Sequence, residues 1–315
     1  MRLHEDKESF KFLIDEIARE YGVRADVLEK DYYVTLLLHE LAGRDRQGYA
    51  YFKGGTALYK ALRSIRRFSE DIDLTVYIDD CETPSQAKKR LERATLGYIC
   101  MQKGEISERN RGSITCVYLY GSLYTLDSTD VLQRFGRVKV EATSFTISKP
   151  TTGIEIAPHL YELAGAERQK ILREQFDVAP FTIETITPER IFIDKIFAAE
   201  FYYERKMYGD VAKHVYDLTV LMETDAIKAF LSDMNEVKEI IALKRAEERE
   251  RKGGVDESKD IANFEYFFAL EKDGKFAEKF EEMQRIYVFS DQDVIAKERV
   301  IEVLSRIRDL MDVEW

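Results

Sequence analysis

The sequence predicts an α+β fold, in which a mixed sheet flanked by helices is followed by an α-helical C-terminal domain. Three observations lead to this prediction. Apolar residues near the amino end recur at helical spacing, short stretches of the middle section alternate apolar and polar residues, and the pattern beyond residue 187 is mainly helical. The chain has 315 residues, which suggests two domains, and we place them at 1–180 and 181–315.

Two helices are expected before the first strand. Phe10 and Ile17 belong to a set of apolar residues at helical spacing, and this helix should stop at Gly22. A second helix is predicted over residues 25–41, and Gly43 lies just past its expected end.

The middle section contains strand patterns separated by helix signals. Thr56 is placed to cap a short helix, and Pro84 opens a charged helix that runs to about Met101. Residues 161–176 form either a helix or an excursion, and Thr187, followed by a proline, starts the C-terminal helices. The predicted strands are residues 50–53, 72–78, 113–120, 137–147 and 181–186.

Charge and cysteine content limit the classes of function. The formal net charge of −11 repels nucleic acid, so a nucleic-acid partner would need a local basic patch. Cys81, Cys100 and Cys116 are widely spaced, as is typical of reduced thiols in a cytoplasmic protein. No apolar run has the length of a signal peptide or a membrane span. We therefore expect a cytoplasmic protein that makes no membrane contact.

Two carboxylates lie two residues apart at the start of a predicted strand. Alternation places the side chains of Asp71 and Asp73 on the same face. Such a pair can hold one or two Mg²⁺ ions, because Mg²⁺ prefers oxygen ligands. An Asp-x-Asp pair at a solvated strand end is also common, and alone it would favour that simpler interpretation.

A glycine pair precedes these carboxylates by one helix. Gly54 and Gly55 lie where a strand turns into a helix, so backbone N–H groups could approach a phosphate there. By itself the pair is more simply explained as a tight turn. The glycine pair and the two carboxylates together are more specific for nucleotide chemistry than either feature alone.

A third acid could complete a two-metal site. In the strand that begins at Arg137, Lys139 and Glu141 face one way, and Val138 and Val140 face the other. A carboxylate here could bind metal and accept a proton from an attacking hydroxyl. A surface alternation of lysine and glutamate explains the pattern equally well, and both interpretations stay open.

Five segments in matching order resemble one known family. Together they are similar to the motifs of the AbiEii/AbiGii nucleotidyltransferase toxins, a family of the DNA polymerase beta superfamily that includes the MenT-type toxins. The segments are Glu29-Lys30-Asp31-Tyr32-Tyr33, Gly54-Gly55-Thr56-Ala57-Leu58, Arg67-Phe68-Ser69-Glu70-Asp71-Ile72-Asp73-Leu74, residues 187–195 and His214-Val215-Tyr216-Asp217-Leu218.

The resemblance implies a polymerase-beta-type core and assigns roles to single residues. Asp71 and Asp73 would bind Mg²⁺ or Mn²⁺, with Glu141 as a weakly matching third acid. Lys195 would hold the triphosphate, and Asp217 would belong to the same catalytic cleft. The candidate nucleotide contacts are Gly54, Gly55, Thr56, Arg67, Ser69 and Lys195.

Without the resemblance, simpler interpretations of the last two motifs are preferable. Lys195 could be a surface lysine whose stem lies along apolar neighbours. Asp217 could pair with Lys213 or His214, or could accept hydrogen bonds from a neighbouring helix. With the resemblance, we favour the functional interpretation of both residues.

Basic residues suggest where a polynucleotide could bind. Lys60, Arg63 and Arg67 share one face of the helix predicted between the glycine pair and the aspartates. These residues could contact RNA phosphates. The lysines and arginines of residues 244–252 are interleaved with glutamates, which favours a solvated helix.

The implied function is transfer of a nucleotide from a nucleoside triphosphate to an RNA 3′ end, with tRNA as the expected acceptor. The resemblance also implies a cognate antitoxin, as in toxin–antitoxin or phage-defence pairs. One alternative is nucleotidylation of a protein hydroxyl, and another is a binding module with a degenerate catalytic site.

Overall fold

The computed structural model describes most of the chain in atomic detail. It covers residues 1–45, 48–62, 66–69, 71–110, 112–125, 134–146, 149–251, 253–288 and 290–312. The sequence predictions that involve Arg63 and Glu70 lie outside these residues. The chain divides into two compact units: Met1–Ala61 with Glu70–Ile186, and Leu62–Ser69 with Thr187–Trp315. The domain boundary at residue 180 stays a prediction, while the contacts divide the structure after Ile186.

The first unit is built on one mixed sheet. Across the described residues, seven strands are ordered β3-β4-β5-β2-β1-β7-β6, with β2 parallel to β5 and antiparallel to β1. Buried side chains of β2 and β5, including Ile72, Leu74, Val138 and Val140, form one face of this core. The strands are β1 Ala50–Lys53, β2 Ile72–Val76, β3 Gln102–Arg109, β4 Ser113–Leu119, β5 Arg137–Thr143, β6 Thr151–Ile156 and β7 Phe181–Ile186.

Helices accompany this sheet in the first unit. The longest of them, α2, buries thirteen of its residues, which include both apolar and charged side chains. The helices are α1 Lys7–Tyr21, α2 Ala25–Arg44, α3 Gly54–Leu62, α4 Pro84–Leu96, α5 His159–Leu163 and α6 Ala166–Phe176.

The second unit is helical in its described parts. Thr187 caps its first helix, because its side chain accepts a hydrogen bond from the N–H of Arg190 and Pro188 begins the first turn. The helices are α7 Pro188–Glu204, α8 Tyr208–Leu221, α9 Asp225–Ser232, α10 Met234–Glu250, α11 Ala269–Lys272, α12 Gly274–Tyr287 and α13 Lys297–Met311. The predicted fold class, a mixed sheet with helices followed by a helical C-terminal part, is therefore confirmed.

Several predicted boundaries were wrong for local physical reasons. Helix α2 continues through Gly43 to Arg44, because a glycine costs a helix only about 1 kcal/mol and the Glu40–Arg44 pair supports the last turn. Helix α4 ends at Leu96, where Gly97 follows, well before Met101. Residues 161–176 contribute to two helices, α5 and α6.

Two charged segments also differ from expectation. Lys60 is buried, and its Nζ lies 2.6 Å from Asp31 Oδ1 and 2.9 Å from the carbonyl oxygen of Ala157, so it does not present a charge to RNA. Lys244 is buried as well and pairs with Glu247 at 2.5 Å and Glu248 at 2.7 Å. The prediction of a solvated helix over residues 244–252 is therefore wrong at Lys244, Glu247 and Glu248, because these charges of opposite sign are buried and paired with one another.

No helix in the described part of the chain combines the length and the apolar character that a membrane crossing requires.

Candidate active site

The glycine pair lies directly against the second strand of the sheet. Helix α3 begins at Gly54, two residues earlier than the predicted cap at Thr56. Thr56 instead lies inside the helix, where its buried hydroxyl donates a hydrogen bond of 2.6 Å to the backbone carbonyl of Asp71. This bond fixes the start of α3 next to the start of β2.

Position 54 requires a glycine, because of its backbone conformation and because Asp73 lies very close to it. The φ of Gly54 is +79°, a conformation that L side chains rarely adopt. A Cβ atom built there would overlap the carboxylate of Asp73 and would lie 3.1 Å from the Cβ of that residue. The backbone of the turn therefore lies closer to Asp73 than a residue with a side chain would allow.

The substitution Gly54→Ala is expected to lower the free energy of unfolding by about 2 kcal/mol, because it adds left-handed strain and a clash. Urea unfolding followed by circular dichroism would measure this change. Gly43→Ala in α2 is the control: its Cβ meets nothing within 4 Å, and removing a helical glycine should raise stability by about 0.5–1 kcal/mol. A Gly54→Ala protein as stable as the wild type would contradict the close packing of the turn.

The strand register brings three carboxylates onto one face of the sheet. Asp71 precedes β2 directly, Asp73 is the second residue of β2, and Glu141 in the parallel strand β5 is the register partner of Asp73. Their side chains are half-buried, while the alternate residues Ile72 and Val140 point into the core. We refer to Asp71, Asp73 and Glu141 as the carboxylate cluster.

Like charges make this cluster electrostatically costly. Burial, with Glu141 and Asp71 as neighbours, raises the pKa of Asp73 to about 6, although Lys53 and Lys139 act in the opposite direction. Lys53 is the antiparallel register partner of Asp73, and its Nζ donates to the hydroxyls of Thr143 and Thr146 at 3.1 and 3.3 Å. The cluster therefore favours a positive charge beside it.

The donor chemistry of the cluster fits a hard divalent cation, because its three side chains offer carboxylate oxygens from two adjacent strands. As the side chains stand, no three acidic, histidine or cysteine groups among the described residues are gathered closely enough to form a ready cation site. Asp71 is engaged by an ammonium, since Lys139 Nζ lies 2.9 Å from its Oδ2. Sequence reasoning missed this role of Lys139, although its place two residues before Glu141 put both on one face.

In the second unit, Asp217 is paired with two cations. It lies in α8 with a fully buried side chain, and its two oxygens each accept a 2.7 Å hydrogen bond from the guanidinium of Arg67. Lys195 on α7 donates a further bond of 2.6 Å to Oδ2. The side chains of Arg67 and Lys195 are only 6% and 5% exposed. We refer to these three residues as the Asp217 cluster.

The protonation state of the Asp217 cluster follows from this geometry. Burial alone would raise the pKa of Asp217, but the charges of Arg67 and Lys195 outweigh it and hold the pKa well below its usual value. His214 lies in the same helix, and burial followed by the charge of Lys195 lowers its pKa well below the ordinary value. Asp217 is therefore an ionised carboxylate beside a neutral histidine, and Lys213 pairs instead with Asp210 at 3.7 Å.

These contacts test the simpler, non-catalytic interpretations of Lys195 and Asp217. Lys195 is not a surface lysine, because its side chain is buried and its ammonium is bonded to Asp217. Asp217 does accept a bond from a neighbouring helix, and in addition it binds Arg67, a candidate nucleotide contact that precedes Asp71 by four residues. Ser69 is partly exposed and belongs, like Arg67, to the second unit.

The structure therefore gathers the predicted site residues in two groups. Gly54, Gly55 and Thr56 lie with the carboxylate cluster in the first unit, and Arg67, Ser69, Lys195 and Asp217 lie in the second. That both groups serve one cleft stays a prediction.

Comparisons with known proteins found a matching family and a similar solved structure. A family model described as "Nucleotidyl transferase AbiEii toxin, Type IV TA system" matches residues 36–306. The structure is similar to that of MenT4, a nucleotidyltransferase toxin from Mycobacterium tuberculosis H37Rv, with 15% sequence identity, a TM-score of 0.49 and coverage of 92% of this chain and 98% of that chain. No curated protein sequence matches the chain.

Proposed function

Because this chain belongs to the family of AbiEii nucleotidyl transferase toxins of type IV toxin–antitoxin systems, we propose that it is a metal-dependent enzyme that transfers a nucleotide to the 3′ end of an RNA, with tRNA as the acceptor. We propose further that it acts in the cytoplasm, in a toxin–antitoxin or phage-defence pair whose antitoxin controls it. The observation that supports the chemistry most strongly is the register of Asp73 and Glu141 beside the turn at Gly54.

The carboxylate cluster is proposed to hold the catalytic metal. Asp71 and Asp73 would be its first ligands and Glu141 the third. Bound there, Mg²⁺ or Mn²⁺ would neutralise the charge of the triphosphate and increase the acidity of the attacking hydroxyl. The glycine turn contributes by letting backbone N–H groups approach a phosphate where a side chain would block it.

The proposed reaction is a substitution at the α-phosphorus of the nucleoside triphosphate. The oxygen of the RNA 3′ hydroxyl forms the new phosphodiester bond, and the bond to the pyrophosphate leaving group breaks. The hydroxyl proton passes to a carboxylate. Glu141 is suited to this step, because its side chain is 37% exposed and can be reached by an acceptor.

The Asp217 cluster is proposed to bind the triphosphate. Two cations held by one carboxylate leave an excess positive charge, and Arg and Lys are the side chains that bind phosphates. Asp217 is itself fully buried behind them, so we assign it as a positioning residue that fixes the directions of Arg67 and Lys195.

A labelling experiment separates the candidate functions. The protein is incubated with each α-labelled nucleoside triphosphate, Mg²⁺, and either total tRNA or total protein. We expect label in tRNA with the wild type and none above background with Asp71→Ala. The control Glu105→Ala removes an exposed carboxylate from β3 and should label as the wild type does.

Each other outcome selects one alternative. Label in protein that Asp71→Ala abolishes would favour nucleotidylation of a protein hydroxyl. Absence of label in both acceptors, together with absence of nucleotide binding by isothermal titration calorimetry, would favour a degenerate binding module and would overturn the proposed transfer.

A further inference from the structure

Lys139 carries an ammonium that lies close to two of the three carboxylates, Asp71 and Glu141. It projects from β5 on the same face as Glu141, between the buried residues Val138 and Val140. Its Nζ is 2.9 Å from Asp71 Oδ2 and 3.9 Å from Glu141 Oε2. One ammonium thus joins the start of β2 to β5 across the face that carries the proposed metal ligands.

The pairing of Lys139 is favourable but not buried. The ammonium of Lys139 is close enough to Asp71 to offset the negative charge of that carboxylate. The side chain is 40% exposed, and those of Asp71 and Glu141 are 33% and 37% exposed. Water and ions can therefore reach the pair, so a competing cation has access to the same oxygens.

We propose that Lys139 is the resident counter-cation of the carboxylate cluster, that a divalent metal displaces it from Asp71, and that Lys139 thereby sets the metal concentration at which the site loads. This inference rests on the proposed metal-dependent function. It adds a role to a residue that is neither a metal ligand nor a contact of the nucleotide in that function.

Electrostatics and geometry both support displacement. A metal bound by both oxygens of Asp71 would take the Oδ2 that now accepts from Lys139, and a divalent ion bound at either oxygen lies a few ångströms from the ammonium and is repelled by it. The lysine side chain has a flexible four-carbon stem, so the ammonium can move into solvent without a change of backbone.

A consequence is that nucleotide and metal should load together. In the absence of nucleotide, the metal gains only carboxylate oxygens and must displace an ammonium that already neutralises them. A nucleoside triphosphate supplies additional phosphate oxygens, which favour the metal over the ammonium. Removing the charge of Lys139 should therefore increase metal affinity more without nucleotide than with it.

The test measures Mn²⁺ binding to the purified full-length chain by the electron paramagnetic resonance signal of free Mn²⁺. Without nucleotide, Lys139→Met should bind Mn²⁺ about tenfold more tightly than the wild type, because charges about 4 Å apart at partly solvated positions interact on this scale. Lys139→Arg keeps the charge and should stay within about threefold of the wild type. Lys88→Met removes a 63% exposed lysine from α4 and should leave the affinity unchanged.

A folded Lys139→Met protein with unchanged or weaker Mn²⁺ affinity would overturn the inference and leave the proposed function standing. If neither the wild type nor Lys139→Met binds Mn²⁺ even with a nucleoside triphosphate, both the inference and metal dependence fail. Asp71→Asn identifies the site, since it should weaken binding in either background.

A second measurement avoids any substitution. An amine-acylating reagent, read by mass spectrometry of the wild type, should modify Lys139 faster when Mn²⁺ is added, because the ammonium leaves Asp71. The rate at Lys88 should not change. Equal rates at Lys139 with and without bound Mn²⁺ would show that the pair persists in the metal-bound protein, which overturns displacement.

Discussion

Asp73→Asn is expected to lower the rate of nucleotide transfer by about a thousandfold or more, since a metal ligand contributes several kcal/mol of transition-state stabilisation and each 1.36 kcal/mol is a factor of ten. Asparagine keeps the shape of the side chain and one oxygen but loses the charge. Single-turnover transfer of an α-labelled nucleotide to the acceptor would measure the loss.

The same substitution should not destabilise the metal-free protein. Burial and the two neighbouring carboxylates, Glu141 and Asp71, raise the pKa of Asp73 to about 6. Its ionised form therefore opposes folding at neutral pH, so we expect Asp73→Asn to raise the free energy of unfolding by about 1 kcal/mol or leave it unchanged. Glu105→Gln on β3 is the matched control for both measurements. A folded Asp73→Asn enzyme that retains more than about a tenth of the wild-type rate would remove Asp73 from the metal site.

Local patterns were sufficient to predict some elements of the fold. The strands β1 and β7 have the predicted bounds, because each is a short run set off by neighbouring turn and helix signals. Strands β3 and β6 were missed. Most residues of β3 are exposed, from Gln102 to Arg109, and β6 contains Gly153, so neither strand shows a buried face in its own sequence. Their place is decided by pairing with β4 and β7.

The candidate site was likewise predictable from the sequence only in part. Alternation placed Asp71 and Asp73 on one face from the sequence alone. The position of Glu141 opposite Asp73 depends on pairing between strands that lie 68 residues apart, which no local pattern records. The bidentate pair of Arg67 and Asp217 spans 150 residues, and the family motifs placed both residues in a site without indicating that one would bind the other.

Asp217→Ala is expected to lower the free energy of unfolding by about 3–5 kcal/mol, because it leaves the buried cations of Arg67 and Lys195 without their shared carboxylate. Transfer activity should fall as well, since both cations lose the contact that directs them. Urea unfolding and single-turnover transfer would be measured on the same preparation. Asp210→Ala, which removes an acid with a 41% exposed side chain from the same helix, should change stability by no more than about 0.5 kcal/mol.

A comparison with Lys195→Met separates positioning from contact with the nucleotide. In that variant Asp217 keeps both hydrogen bonds to Arg67, so stability should fall by only about 1–2 kcal/mol. If Lys195 binds the triphosphate, its removal should nevertheless cost about a hundredfold or more in transfer rate, since a positive charge held against a transferring phosphate strongly stabilises the transition state. Asp217→Ala would then be the more damaging change for the fold, while Lys195→Met loses activity out of proportion to stability. Losses of activity that simply follow the losses of stability in both variants would mean that the Asp217 cluster is a structural ion pair, and the triphosphate would have to be bound elsewhere.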